Sequence, residues 1–68
     1  MAEQNQPALI RRPTVEKMTG LSRSSIYDMM RGGTFPQPVR LSLRTVAWRT
    51  TDISEWISSR PLRQPAGR

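Results

Sequence analysis

The sequence predicts an α+β fold, mostly helical, built from three short helices and one two-stranded hairpin. Three observations carry this. Two stretches with apolar residues at helical spacing each run into glycine, at Gly20 and at Gly32 and Gly33. An apolar–polar alternation, interrupted by Pro36 and Pro38, then replaces the helical period. Finally, Ile53, Trp56 and Ile57 restore that period at i, i+3 and i+4. At 68 residues the chain holds one domain at most, near the lower limit for folding without disulfides or a metal.

Residues 1–8 are polar, contain Pro7 and lack periodicity, so they read as a flexible lead-in to a domain spanning 9–60. Leu9 and Ile10 are the first apolar pair and dock on the core. Thr14 is placed to cap a first helix with Glu16 in its first turn, where an acid suits the helix dipole. Val15 and Met18 form its inward stripe, and Gly20 stops it. Ser22 is a second N-cap, opening RSSIYDMMR. At about 100° per residue, Ile26, Met29 and Met30 face inward. Ser24, Tyr27, Asp28 and Arg31 face outward, with Arg23 and Ser25 at the flanks. The connection through Gly20, Leu21 and Ser22 is too tight for antiparallel helices. It makes a helix-turn-helix, with Leu21 plugging the angle.

Helical character ends at Thr34. In FPQPVRL the prolines impose an extended path and forbid a central strand, while Phe35, Val39 and Leu41 alternate with polar residues. A second alternating run, Thr45 to Arg49, places Val46 and Trp48 inward. Ser42, Leu43 and Arg44 form the hairpin tip, without glycine. Thr51 and Asp52 open a third helix, with Asp52 and Glu55 spaced as a capping box. Pro61 ends it. Residues 61–68, PLRQPAGR, read as a disordered basic tail. Trp48 and Trp56 are the largest pieces of the expected core, and there are no internal repeats.

Eleven basic residues against five acidic ones give a net charge of +6, and every basic residue except Lys17 is arginine. The sequence has no Cys and no His, which excludes disulfides, thiolate chemistry, the usual zinc sites and His-based catalysis. The carboxylates are scattered and no glycine-rich phosphate loop is present, so neither an enzyme nor a cofactor or metal is expected. No apolar run is long enough for a membrane span, and a cytoplasmic protein is expected. Arginine offers a planar fork that fits phosphates and guanine edges. The charge therefore points to a polyanion, most simply nucleic acid, against the plainer account of charge kept for solubility.

In a helix-turn-helix the second helix enters the major groove with its N-terminal residues nearest the base edges. Here those are Ser22, Arg23, Ser24 and Ser25, with Tyr27 one turn on and Arg31 placed for the far backbone. Arg23 either forks onto a guanine or clamps a phosphate. Ser22 is a cap whatever else it touches, and Ser24 and Ser25 are either contacts or solvated first-turn serines. Tyr27 is either a contact or a half-buried packing residue. Asp28 either limits non-specific phosphate binding or pairs with Arg31. The hairpin offers a wing, with Arg40, Ser42, Arg44 and Thr45 for the minor groove or adjacent phosphates. Its alternative is an edge hairpin protected by charge. Arg11 and Arg12 contact backbone phosphate or nothing.

The span 9–60 resembles the AlpA-type phage and prophage regulators, small winged-helix proteins related to excisionases and to MerR DNA-binding domains. TGLSRSSIYDMM, GTFPQPVRL, RTVAWR and DISEWISSR carry the likeness, in that order and spacing. The resemblance implies a small winged helix-turn-helix. By position it places Ser22, Arg23, Ser24 and Tyr27 on the recognition helix and Arg40, Ser42 and Arg44 on the wing. Trp48 and Trp56 fall on the family's core tryptophans. The chain departs from the pattern in two places: Ser42, followed by Leu43, stands after the PVRL leucine where glycine is common, and Asp28 stands where a basic or neutral residue is usual.

The expectation is a sequence-specific binder of double-stranded DNA from a phage or integrative element, associated with the bacterial nucleoid. The resemblance implies a transcriptional regulator, a recombination directionality factor (excisionase), or both. Expected partners are duplex DNA, an integrase or recombinase, and further copies on adjacent sites. The alternative is a protein-interaction module or inhibitor that sets its arginines against an acidic partner protein. RNA binding would need exposed aromatics to stack bases, and only Tyr27 is available.

Overall fold

The computed structural model describes residues 7–63. The expectations for residues 1–6 and 64–68, most of the lead-in and the end of the tail, lie outside them. The elements are β1 (Leu9–Ile10), α1 (Arg12–Thr19), α2 (Arg23–Arg31), β2 (Val39–Arg40), β3 (Val46–Arg49) and α3 (Thr50–Ser58). Three helices and a three-stranded antiparallel sheet of order β1-β3-β2 make a small α+β winged helix-turn-helix. Among the described residues no helix is long and apolar enough to cross a membrane.

α1 starts two residues before the expected cap. Arg11 is the N-cap, without a side-chain cap bond, and the Thr14 and Val15 amides donate to its carbonyl at 3.1 Å. Pro13 accounts for the difference: its missing N–H and fixed φ suit a first turn. Glu16 therefore sits beyond that turn and pairs with Arg12, whose Nε donates to it at 2.8 Å. Gly20 ends the helix at φ 77°, its amide bonded to the Glu16 carbonyl at 2.8 Å.

Ser22 caps α2 as expected, accepting the Ser25 amide at 3.2 Å. At the other end Gly33 adopts φ 79°, the Gly33 amide reaches the Met30 carbonyl at 3.1 Å, and the Thr34 amide reaches that of Met29 at 2.9 Å. This paired closure is a Schellman motif, which needs a left-handed residue at its turning point.

The segment after α2 is held by the two indoles. Trp56 Nε1 donates to the Thr34 carbonyl at 2.8 Å and Trp48 Nε1 to that of Pro36 at 2.9 Å. Phe35 is buried edge-on against Trp56, with ring centroids 4.8 Å apart. The expected Phe35-to-Leu41 strand shortens to Val39–Arg40, and Leu41 is half exposed in the bend beyond. Anchoring Thr34 and Pro36 to tryptophans uses their carbonyls away from any ladder.

β3 is the central strand. Val39 pairs with Ala47 and Arg40 with Val46, while Leu9 pairs with Arg49 and Ile10 with Trp48. Trp48 is buried as expected, but Val46 is 38% exposed: it shares the face of Trp48 but lies past the core edge.

α3 begins at Thr50, and the expected capping box of Asp52 and Glu55 does not form. Arg49 is the N-cap and has no side-chain cap bond. Instead the buried Thr50 donates its hydroxyl to the Pro7 carbonyl and its amide to the Ala8 carbonyl. The chain preceding β1 thus satisfies donors that a local cap would otherwise take. At the far end Arg60 Nε donates to the Trp56 carbonyl at 3.0 Å and its guanidinium stacks 4.1 Å from the indole.

The core is one cluster of Ile10, Val15, Ile26, Phe35, Trp48 and Ile53, with Met18, Leu21, Met29, Met30 and Trp56 packed at its margin. Nearly every element contributes one residue. α1 and α2 are thereby fixed at the angle the turn allows, and the β2–β3 hairpin is held beside them.

Candidate nucleic-acid interface

α2 buries Ile26 and keeps Arg23 and Ser24 exposed at its head. Ser22 and Ser25 are partly committed: besides the amide bond, the Ser22 hydroxyl donates to Ser25 Oγ at 3.1 Å. Tyr27 is half-buried, between its two expected roles. The Arg23 guanidinium lies 5.8 Å from the Tyr27 ring centroid, a cation–π arrangement that aligns the two along one face. Arg31, at the other end, is ion-paired with Asp28. The basic character of the helix is therefore concentrated in its first turn.

The hairpin turns through Leu43 and Arg44. Leu41 and Ser42 amides donate to the Thr45 carbonyl at 2.7 and 3.2 Å, and the Thr45 amide returns to Ser42 at 3.4 Å. Arg40, Ser42 and Arg44 are exposed, Thr45 is partly so, and Leu43 at the tip is 84% exposed. A turn without glycine closes here because no non-glycine residue needs a positive φ.

Between helix and wing lies a concavity of about 460 Å³. Its walls are Arg11, Arg12 and Pro13 at the start of α1, Tyr27 of α2, and Arg44, Val46 and Trp48 of the hairpin. The fold thus brings Tyr27 and Arg44 together with two arginines that sequence pattern left undecided. Arg31 and Arg40 are not among the lining residues. Arg12 holds its proton more tightly than a free guanidinium; the hydrogen bond to Glu16 is the main cause, partial desolvation opposes it, and the Tyr27 side chain adds to it. The available sequence signal for Arg11 and Arg12 was the proline after them. Pro13 in a first turn puts both at the helix entrance.

Among the described residues, no three His, Cys, Asp or Glu side chains come together to hold a metal.

Comparison with known proteins gives two relatives, one of which is clearly longer than this chain. The chain is 40% identical over 55 residues to protein ORF88 of Enterobacteria phage P4, spanning 62% of that protein's length. It is 34% identical over 58 residues to the DNA-binding transcriptional activator AlpA of Escherichia coli strain K12, spanning 83% of it. The family described as prophage CP4-57 regulatory protein (AlpA) matches residues 8–61, nearly the whole folded unit, and the chain belongs to that family.

Proposed function

We propose that this chain is a phage or prophage regulatory protein that binds duplex DNA by sequence. The head of α2 enters the major groove, with Arg23 and Ser24 at base edges and Ser22 and Ser25 holding the helix end against the backbone. Tyr27 and Arg31 extend the contact along the helix, and Arg40, Ser42, Arg44 and Thr45 of the wing brace the flanking backbone or minor groove. The single observation that carries this is the exposed, capped first turn of α2 set beside an arginine-bearing hairpin. The likeness to the DNA-binding transcriptional activator AlpA supports it, as does the +6 charge.

The finer output is regulation of transcription, excision of a mobile element, or both, since the same contacts serve each. An integrase and neighbouring copies on adjacent sites are the partners this reading implies, in the bacterial cytoplasm at the nucleoid.

Fluorescence anisotropy with duplexes tiled across the DNA flanking the gene, compared with a scrambled duplex, tests it. One duplex bound at least about tenfold tighter, a margin of roughly 1.4 kcal/mol, is the expected result. Its position beside a promoter or an attachment site then separates regulator from excision factor. Equal binding to every duplex removes sequence recognition, and an acidic protein partner becomes the better account.

A further inference from the structure

The concavity between α1, α2 and the wing has a composition that suits one kind of ligand. Arg11, Arg12 and Arg44 present three guanidinium groups, Tyr27 adds a phenol, and no carboxylate lines the wall. Glu16 is nearby but is engaged by Arg12 Nε at 2.8 Å. That bond uses the inner nitrogen of the guanidinium and leaves N–H groups on its terminal nitrogens able to donate, on a side chain already held by Glu16. Arg12 is thus held by a neighbour on its own helix, whereas Arg44 comes from the hairpin, more than thirty residues away in sequence. Their convergence is a tertiary feature, independent of the dipole of α1.

We infer that this concavity is a seat for a single DNA backbone phosphate, with Arg12 and Arg44 as its principal donors, Arg11 at the rim and Tyr27 donating its hydroxyl. This rests on the proposed duplex binding and specifies one part of it. The ligand is a phosphodiester because Tyr27 joins the seat to the recognition helix: its ring lies under Arg23, the residue proposed to reach the base edges. A phosphate seated between α1 and the wing would therefore fix how deep and at what angle α2 enters the groove. The seat supplies register and affinity, and leaves the base choice to Arg23.

The test couples a protein change to a DNA change. Single neutral methylphosphonates replace each phosphate in turn in the preferred duplex, and binding is measured for the full chain and for Arg12→Ala across a salt series. For the unmodified duplex, Arg12→Ala is expected to weaken binding roughly fivefold near 0.15 M salt and to lower the salt slope by about one, as one fewer counterion is released. The preference over a scrambled duplex should stay the same. One methylphosphonate position should weaken the unaltered protein by a similar factor and weaken Arg12→Ala by clearly less, because only Arg44 and the rim groups then still reach that phosphate. Arg44→Ala should couple to that same position. Circular dichroism melts check that each variant folds; if Arg12→Ala does not, Arg12→Lys keeps the charge but loses the fork and should show the same coupled position with a smaller loss.

If no position couples to either arginine while the unaltered protein still binds one duplex selectively, the seat is wrong and the duplex reading stands. A changed base preference in Arg12→Ala also overturns it, since a phosphate contact carries no sequence information. Inorganic pyrophosphate displacing the protein from the DNA only at concentrations that match its ionic strength is expected. Specific displacement at far lower concentration would instead make the concavity a site for a free phosphate compound.

Discussion

Arg23 stands exposed at the head of α2 with its guanidinium over Tyr27, while its neighbours Ser22 and Ser25 are tied into the cap. Among the residues of that first turn it is the one with both reach and free donors. Arg23→Ala is expected to cost about 1–3 kcal/mol of binding to the preferred duplex and to flatten discrimination against scrambled DNA. Anisotropy on both duplexes reads it, and unchanged discrimination would remove Arg23 from the base-reading role. Asp28 acts in the opposite sense, since its carboxylate occupies Arg31 and places a negative charge on the face proposed to meet DNA. Asp28→Asn should raise affinity for preferred and scrambled duplexes alike, and so leave their ratio unchanged. A drop in affinity would mean that the pair orders Arg31 for its contact rather than withholding it. Both residues were legible in the sequence because a nine-residue helix with one buried stripe leaves few positions that can face outward.

The ends of the elements show where local signals suffice. Gly33 is at φ 79° and closes the Schellman turn, whereas Gly32 is right-handed at φ −81°. A Cβ on Gly32 would meet backbone oxygens only at ordinary contact, the nearest at 3.6 Å. Gly33→Ala should therefore lose about 1 kcal/mol of stability, and Gly32→Ala should be neutral or slightly stabilising. Urea melts of the two variants compare them directly, and equal losses would mean that both glycines bear on the turn. The caps of α2 and the stop at Gly20 follow from such short-range chemistry and were placed correctly. The starts of α1 and α3 were not. Thr14 and the Asp52–Glu55 pair are plausible caps in isolation, but Pro13 moved one helix start and Pro7 and Ala8 supplied the donors' partners at the other. In the hairpin, alternation identified the face of Val46 but not its burial, because the period of a strand says nothing about where the core beneath it ends.

At the scale of the whole molecule the margin is thin. The core cluster has six buried members, and Trp48 is the largest of them, contacting the core and bonding the Pro36 carbonyl. Trp48→Ala should cost about 3–5 kcal/mol, comparable to the total stability of a domain this small. The expected outcome is loss of the cooperative melt followed by circular dichroism. Retention of a native-like transition would show that the β3 ladder and the N-terminal strand hold the fold without the indole.

The chain by itself determined the helix-turn-helix, the glycine and serine punctuation around α2, the proline-guided path into a hairpin, and the basic, histidine-free surface. Each of these depends on neighbours within about one helical turn or one strand, which is the range over which side-chain period and capping chemistry act. Tertiary structure alone decided the rest. Leu9 and Ile10 became a strand only because Trp48 and Arg49, some forty residues on, supplied a ladder; a two-residue strand has no period to recognise. For the same reason Arg11 and Arg12 came to line a common concavity only once the hairpin carried Arg44 to them. Which of many exposed arginines converge depends on how the helices and sheet pack, and that packing is set by the shared core rather than by any pattern along the chain.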